Sequence, residues 1–250
     1  MLNERFWEID FLRGTAILMM ILFHLIYDLN FFGVFTFELR EGLWFYFGRL
    51  TALIFIFLVG ISLTLSYSKS LKKGLSGSQI GMKNIKRGFK ILGYGIIITV
   101  ITHLLLTQGT IYFGILHFIG LAVIISYPFL RFTYYNILFG ILCILLGSYI
   151  SQITIESPYL LWLGIAPHGL YTFDYYPLLP WFGVVLLGIF VGNILYENGI
   201  RKYCIPELGK NYLIRRMTFL GRHSLLIYLV HQPIIILILY GLGYAEISTL

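Results

Sequence analysis

Seven stretches of this chain, about 9–30, 43–67, 89–106, 111–130, 134–154, 180–196 and 217–243, are apolar almost without a break. Most approach the ~20 residues that carry a helix across the hydrocarbon core of a bilayer. With 58% hydrophobic residues and a mean hydropathy of +0.85, the 250-residue chain is greasier than a soluble domain, in which apolar residues make up about half. In lipid the backbone has to satisfy its own hydrogen bonds, which selects helices. The expected fold is all-α: a polytopic membrane bundle of about seven transmembrane helices, forming a single transmembrane domain over 1–250. No cleavable signal peptide is expected, because the first apolar stretch exceeds the ~7–15 residues of a signal core.

The net charge of +7 is distributed as in a membrane protein rather than a nucleic-acid binder. Lys69, Lys72, Lys73, Lys83, Lys86, Arg87 and Lys90 fall in one connection, and Arg201, Lys202, Lys210, Arg215 and Arg216 in another. Alternate connections hold only Arg40. Lys/Arg bias sets orientation, so the N-terminus is expected inside and the C-terminus outside. Cys143 and Cys204 have neither a disulfide framework nor metal-ligand spacing around them, and no metal is expected.

Two connections stand out. "GLSGSQIG" in 68–88 is glycine-rich but follows no strand, so it reads as a flexible linker rather than a phosphate cradle. The outer segment 155–180, with "APHGLYTFDYYPLLPW", is rich in proline and aromatics and is expected to fold back on the bundle at headgroup depth. No internal repeat is evident, which weakens a transporter built on inverted repeats.

The first span carries Asp10, Arg13, His24 and Asp28. A charge at the centre of such a helix costs roughly 2.5–3.5 kcal/mol by insertion scales. Arg13 and His24 are three turns apart on one face, roughly 16 Å, and Asp28 lies one turn further along it. A carboxylate beside an imidazole can fix its tautomer and raise its basicity, which suits a general base. Snorkelling to the headgroups is the plain alternative for Asp10 and Arg13.

Orientation places Arg49, His103 and His117 in the outer thirds of their spans and Asp174 just before the sixth. With His24 and Asp28 they are expected to line one outer cavity, since intramembrane charges face the bundle interior and pair with one another. In the last span His231 and Gln232 lie near mid-membrane, beside Pro233, which frees a backbone carbonyl four residues back.

These residues also carry a family resemblance. "EIDFLRGTAILMMILFH" resembles the opening helix of the transmembrane acyltransferase superfamily, in which an Arg or Lys precedes a His with ten residues between, as Arg13 precedes His24. "GRLTALIFIFLVGISLTLS", "FGILHFIG", "DYYPLLPWFGVVLLGIFVG" and "LGRHSLLIYLVHQP" are similar to compact prokaryotic members related to the heparan-alpha-glucosaminide N-acetyltransferase catalytic domain. The resemblance implies a helical bundle that takes an acyl group, acetyl in the first instance, from cytoplasmic acyl-CoA and delivers it to a hydroxyl or amine of a glycan or other small acceptor at the outer face. It puts Arg13 near the donor's path and His24 at the chemistry. For longer relatives the resemblance implies a histidine in the loop after this helix; Asn30 to Glu41 contain none, so direct transfer with His24 as base is expected.

The expectation is thus a multi-pass acyltransferase of the cell membrane, in contact with membrane lipid and not with nucleic acid, a homodimer being left open. His24 and Asp28 are the catalytic candidates. Arg13, Arg49, His117, Asp174, His231 and Gln232 are the substrate-binding ones, with Arg49, His117 or Gln232 stabilising the oxyanion. The rival readings are a proton-coupled small-molecule transporter using the same groups, and a scaffold in which they only hold helices together.

Overall fold

A computed structural model describes residues 5–206 and 208–245. These contain eight α-helices and no named β-strand: α1 (Trp7–Phe31), α2 (Gly42–Lys72), α3 (Gly77–Leu105), α4 (Ile115–Ile125), α5 (Tyr135–Ile150), α6 (Leu178–Leu195), α7 (Tyr212–Arg222) and α8 (Ser224–Gly241). Five of them, α1, α2, α3, α6 and α8, are long and apolar enough to cross a membrane. The helices at the fourth and fifth expected spans, α4 and α5, have 11 and 16 residues. The last expected span is two helices, because the backbone leaves helical geometry at His223.

The expectation of a flexible linker over 68–88 is corrected. α2 runs to Lys72 and α3 begins at Gly77, with only a short turn between them. Ser76 accepts from the backbone N–H of Gln79, while the Gln79 side chain accepts from the Ser76 N–H. This reciprocal box starts a helix despite the glycines around it. The first turns of α3 are amphipathic: Ile80, Asn84, Gly88 and Ile91 are buried, while Lys83, Lys86, Arg87 and Lys90 are exposed. Hydropathy alone reads such turns as a loop. At about 1.5 Å per residue, 29 residues span about 44 Å, so α3 exceeds a ~30 Å hydrocarbon core and keeps its charged end out of it.

The chain packs as two compact units, Met1–Phe55 with Ile205–Leu250, and Ile56–Cys204; the division falls within α2. In the first unit α1 packs on α7 and α8. Small residues set the α1–α7 approach: a Cβ on Gly14 would sit 2.1 Å from the Met217 carbonyl oxygen, and one on Gly221 would sit 1.8 Å from that of Asp10. Close backbone packing of this kind substitutes for a hydrophobic driving force that lipid does not supply. Towards the other end of α1, Ile21, Leu25 and Leu29 pack on Ile235 and Leu239 of α8.

In the second unit the same device recurs. α2 meets α6 at Gly60 and Gly188, α3 meets α4 at Gly88 and Gly120, and α5 meets α6 at Gly140 and Gly183. The segment between α5 and α6 folds back as expected, bonding to the α3–α4 connection. The Phe173 N–H donates to the Gly109 carbonyl at 3.1 Å, and that of Tyr176 to Phe113 at 3.0 Å. This brings Asp174 to the start of α4.

Candidate functional site

The first unit holds two groups of polar side chains, one towards each end of α1. Near its C-terminal end, His24 meets His231 of α8 edge to face, with ring centroids 4.8 Å apart and planes at 82°. The Nδ1 of His24 lies 2.9 Å from the Met20 carbonyl, and the Nδ1 of His231 lies 2.6 Å from that of Tyr228. A carbonyl can only accept, so both rings carry their proton on Nδ1 and present Nε2 as a bare acceptor. His231 is buried, and its Nε2 finds no hydrogen-bond partner among the described residues.

One turn on, Asp28 is 5% exposed and both its oxygens accept from Gln232 Nε2, each at 2.9 Å. The expected contact of Asp28 with His24 is therefore replaced. Asp28 is held from α8 by Gln232, and His24 is held by its own helix at Met20. The i, i+4 spacing permits a His–Asp pair but does not enforce it when each side chain has a nearer partner. Gln232 Oε1 is buried and also finds no partner among the described residues. The group thus presents acceptors, His231 Nε2 and Gln232 Oε1 beside His24, whereas the Gln232 amide N–H groups face the carboxylate.

Near the N-terminal end of α1, Asp10 is shared by two arginines. Arg13 donates to Oδ1 at 2.9 Å, and Arg222 Nε donates to Oδ2 at 3.2 Å from the end of α7. Arg13 also reaches the Gly221 carbonyl at 3.5 Å. Asp10 is 5% exposed and Arg222 about half exposed, so a buried carboxylate is held by cations that remain open to water. Glu8, also buried in the first turn of α1, adds a second carboxylate at this end. Arg49, in the same unit, lies with its guanidinium 4.6 Å from the Phe45 ring centroid rather than on Asp28.

His117 and Asp174 belong to the second unit, where both serve the first turn of α4. The Gly114 N–H donates to His117 Nδ1 at 3.2 Å, so this ring carries its proton on Nε2 and donates to Thr99 Oγ1 at 3.2 Å. Thr99 passes its own proton to the Ile111 carbonyl at 2.6 Å. Asp174 Oδ2 accepts from the Ile115 N–H at 2.8 Å. A carboxylate there completes an orphan donor and complements the helix dipole. Burial nevertheless pushes the Asp174 carboxyl up to about 6, against the opposing effect of the Ile115 hydrogen bond.

The structure therefore brings His24, Asp28, His231 and Gln232 together, and Arg13 with Asp10 and Arg222. His117 and Asp174 come together in the other unit. The Thr99 partner of His117 and the carbonyls that fix the two α1–α8 imidazoles carry no sequence signal. The Asp10–Arg222 pair joins residues 212 apart, beyond the reach of any spacing argument.

Compared with known proteins, the chain matches the family described as Heparan-alpha-glucosaminide N-acetyltransferase, catalytic, over residues 5–233. No curated protein and no solved structure matches it. The matched stretch contains every residue of the groups described above.

Proposed function

The chain belongs to the heparan-alpha-glucosaminide N-acetyltransferase catalytic family, and from that premise we propose that it transfers an acyl group, acetyl in the first instance, from acyl-CoA to a hydroxyl or amine. The observation that carries the site assignment is the pair of Nδ1-protonated imidazoles, His24 and His231, with Nε2 as acceptors.

In this reading His24 Nε2 takes the proton of the acceptor O–H or N–H as its heteroatom attacks the thioester carbonyl carbon. The tetrahedral intermediate collapses with cleavage of the C–S bond. The imidazolium returns the proton to the departing CoA sulfur, leaving the ester or amide and free CoA. The Met20 carbonyl holds the His24 ring and stabilises its Nδ1–H as the imidazolium forms. His231 Nε2 and Gln232 Oε1 suit the donors of the acceptor substrate and not an oxyanion, which needs N–H or O–H groups. We therefore assign Gln232 to positioning Asp28 and the acceptor, in place of the oxyanion role.

The Arg13–Asp10–Arg222 group, whose Arg222 is about half open to water, is assigned to the donor side, which the Lys/Arg bias of the sequence leads us to put in the cytoplasm. Its roughly 16 Å offset from His24 along α1 suits the pantetheine arm of CoA. Arg49 remains a candidate contact for substrate, and we assign His117 and Asp174 to shaping the start of α4. The test is transfer from labelled acetyl-CoA by the purified full chain in detergent to amino sugars and to neutral sugars. Acetylated sugar and free CoA in equal amounts are expected; no acetyl-CoA turnover with any acceptor would sink the reading.

A further inference from the structure

The glycines that bring α1 and α7 together, Gly14 and Gly221, leave room for backbone: the atoms a Cβ would meet there are all main-chain. Gly48, in the part of α2 that belongs to the same unit, is different. A Cβ there would lie 2.7 Å from Cε2, 2.8 Å from Cζ and 3.1 Å from Cδ2 of Phe23 on α1. The space at position 48 is therefore space for one aromatic ring.

That ring touches the candidate base. Phe23 stands perpendicular to His24, with ring centroids 5.8 Å apart and planes at 90°. His231 meets the same imidazole at 4.8 Å and 82°. The bond from Nδ1 to the Met20 carbonyl, at 2.9 Å, fixes one atom of the His24 ring, and a ring held at one atom can still swing about it. Flanking rings restrict that swing, and perpendicular aromatic pairs are favourable in themselves. Consecutive residues point about 100° apart around a helix. Contact between the Phe23 and His24 rings thus depends on what confines Phe23 from outside α1, and α2 does so at Gly48.

We propose that Phe23 is a positioning residue for the transfer reaction: seated on Gly48 of α2, it holds the His24 imidazole with Nδ1 on Met20 and Nε2 open to substrate. Its role in transfer rests on the acyltransferase reading, whereas the seat itself does not. The seat requires glycine. An alanine methyl at 48 would drive the Phe23 ring from 2.7 Å to an ordinary contact of about 3.5–4.0 Å, a move of roughly 1 Å. A reacting group misplaced on that scale can lose about 10²-fold in rate. Passed on through one ring, a loss of roughly tenfold is expected.

The test uses the full chain in detergent and the variants Gly48→Ala, Phe23→Leu and their combination. Transfer from labelled acetyl-CoA to an amino sugar gives kcat and KM. The ring-nitrogen chemical shifts of isotope-labelled histidine, with the His24 signals assigned by their loss in His24→Gln, report its tautomer without any turnover. Gly48→Ala and Phe23→Leu should each lower kcat roughly tenfold with the KM for acetyl-CoA unchanged, and each should mix the two His24 tautomers. The combined variant should be no slower than Phe23→Leu alone, because a methyl at 48 has no ring left to displace. Phe23→Leu overpacks nothing, so it carries the same expectation should Gly48→Ala fail to fold. A wild-type chain that transfers nothing, yet shows the His24 response in the variants, keeps the seat and removes the enzyme reading. Unchanged His24 signals in both single variants overturn the seat. Losses in kcat that simply multiply in the combined variant, or wild-type kcat in both single variants, overturn the positioning role.

Discussion

His24 and His231 meet edge to face at 4.8 Å, and each turns its Nδ1 into a carbonyl of its own helix. Two imidazoles so arranged are bases rather than acids, because the only nitrogens left for a ligand are unprotonated. The arrangement also makes them unequal. His24 is partly exposed, whereas His231 is 7% exposed with an Nε2 that lacks a partner among the described residues.

Removing either base should therefore show different kinetics. His24→Ala is expected to lower acetyl transfer by about 10²–10⁴-fold with CoA binding retained, the usual worth of a general base. His231→Ala should raise the acceptor KM more than it lowers kcat, since it removes a contact to the acceptor. Steady-state transfer assays on both, with a thermal melt for folding, check this. Wild-type turnover in His24→Ala would make that histidine structural.

The Asp28–Gln232 pair predicts a non-additive stability cycle. Gln232→Leu leaves a buried carboxylate without its donor and should cost about 1–3 kcal/mol or more. Asp28→Leu in that background should recover part of the loss, since an apolar pair of similar shape has no orphan polar group. Melting temperatures of the two single variants and the double variant, in one detergent, measure the coupling. Simple additivity would mean the two side chains do not interact.

Gly221→Ala should destabilise the first unit, because the added methyl would lie 1.8 Å from the Asp10 carbonyl oxygen and must push α7 off α1. Overpacking of this kind costs about 1–3 kcal/mol. Gly241→Ala is the control: nothing lies within 4 Å of its Cβ, and alanine gains up to about 1 kcal/mol over glycine in a helix. A lower melting temperature for the first and an equal or higher one for the second is the expected pair of results.

Asp174 gives a pH dependence with a definite sign. Its carboxyl sits at about 6 in the folded chain against an ordinary 3.8, so the folded state holds the proton more tightly than the unfolded one. The contribution to stability is full below about 3.8 and is lost as pH rises through 6. Asp174→Asn, which can still accept from the Ile115 N–H, should flatten the melting temperature between pH 5 and pH 7.5, ranges chosen to bracket about 6. A variant with the wild-type slope would assign that slope to other groups.

Orientation is testable by labelling in intact cells, with Cys143 and Cys204 first replaced by serine. A cysteine at exposed Lys73 should react only after the membrane is opened, and one at Tyr159, 84% exposed, should react directly. Equal access from outside would overturn the placement of Arg13 on the donor side.

Apolar run length and Lys/Arg placement, both local, are enough to read a helical membrane protein from this sequence. So is the spacing of Arg13, His24 and Asp28 on α1, because helical geometry fixes it within one segment. Other features were decided only by tertiary structure. The start of α3 at Gly77 is masked from hydropathy by an amphipathic charged face, although the Ser76–Gln79 box was present to be read. The break at His223 and the shortness of α4 and α5 leave no mark in average hydropathy. The partners of the polar groups are the deepest case. Asp28 could be satisfied by His24, Arg49 or Gln232 on spacing and depth alone, and Gln232 is the one beside it because α8 packs on α1. A buried polar group must find some partner, and the sequence states that need; which partner it finds depends on helices brought together across 200 residues of chain.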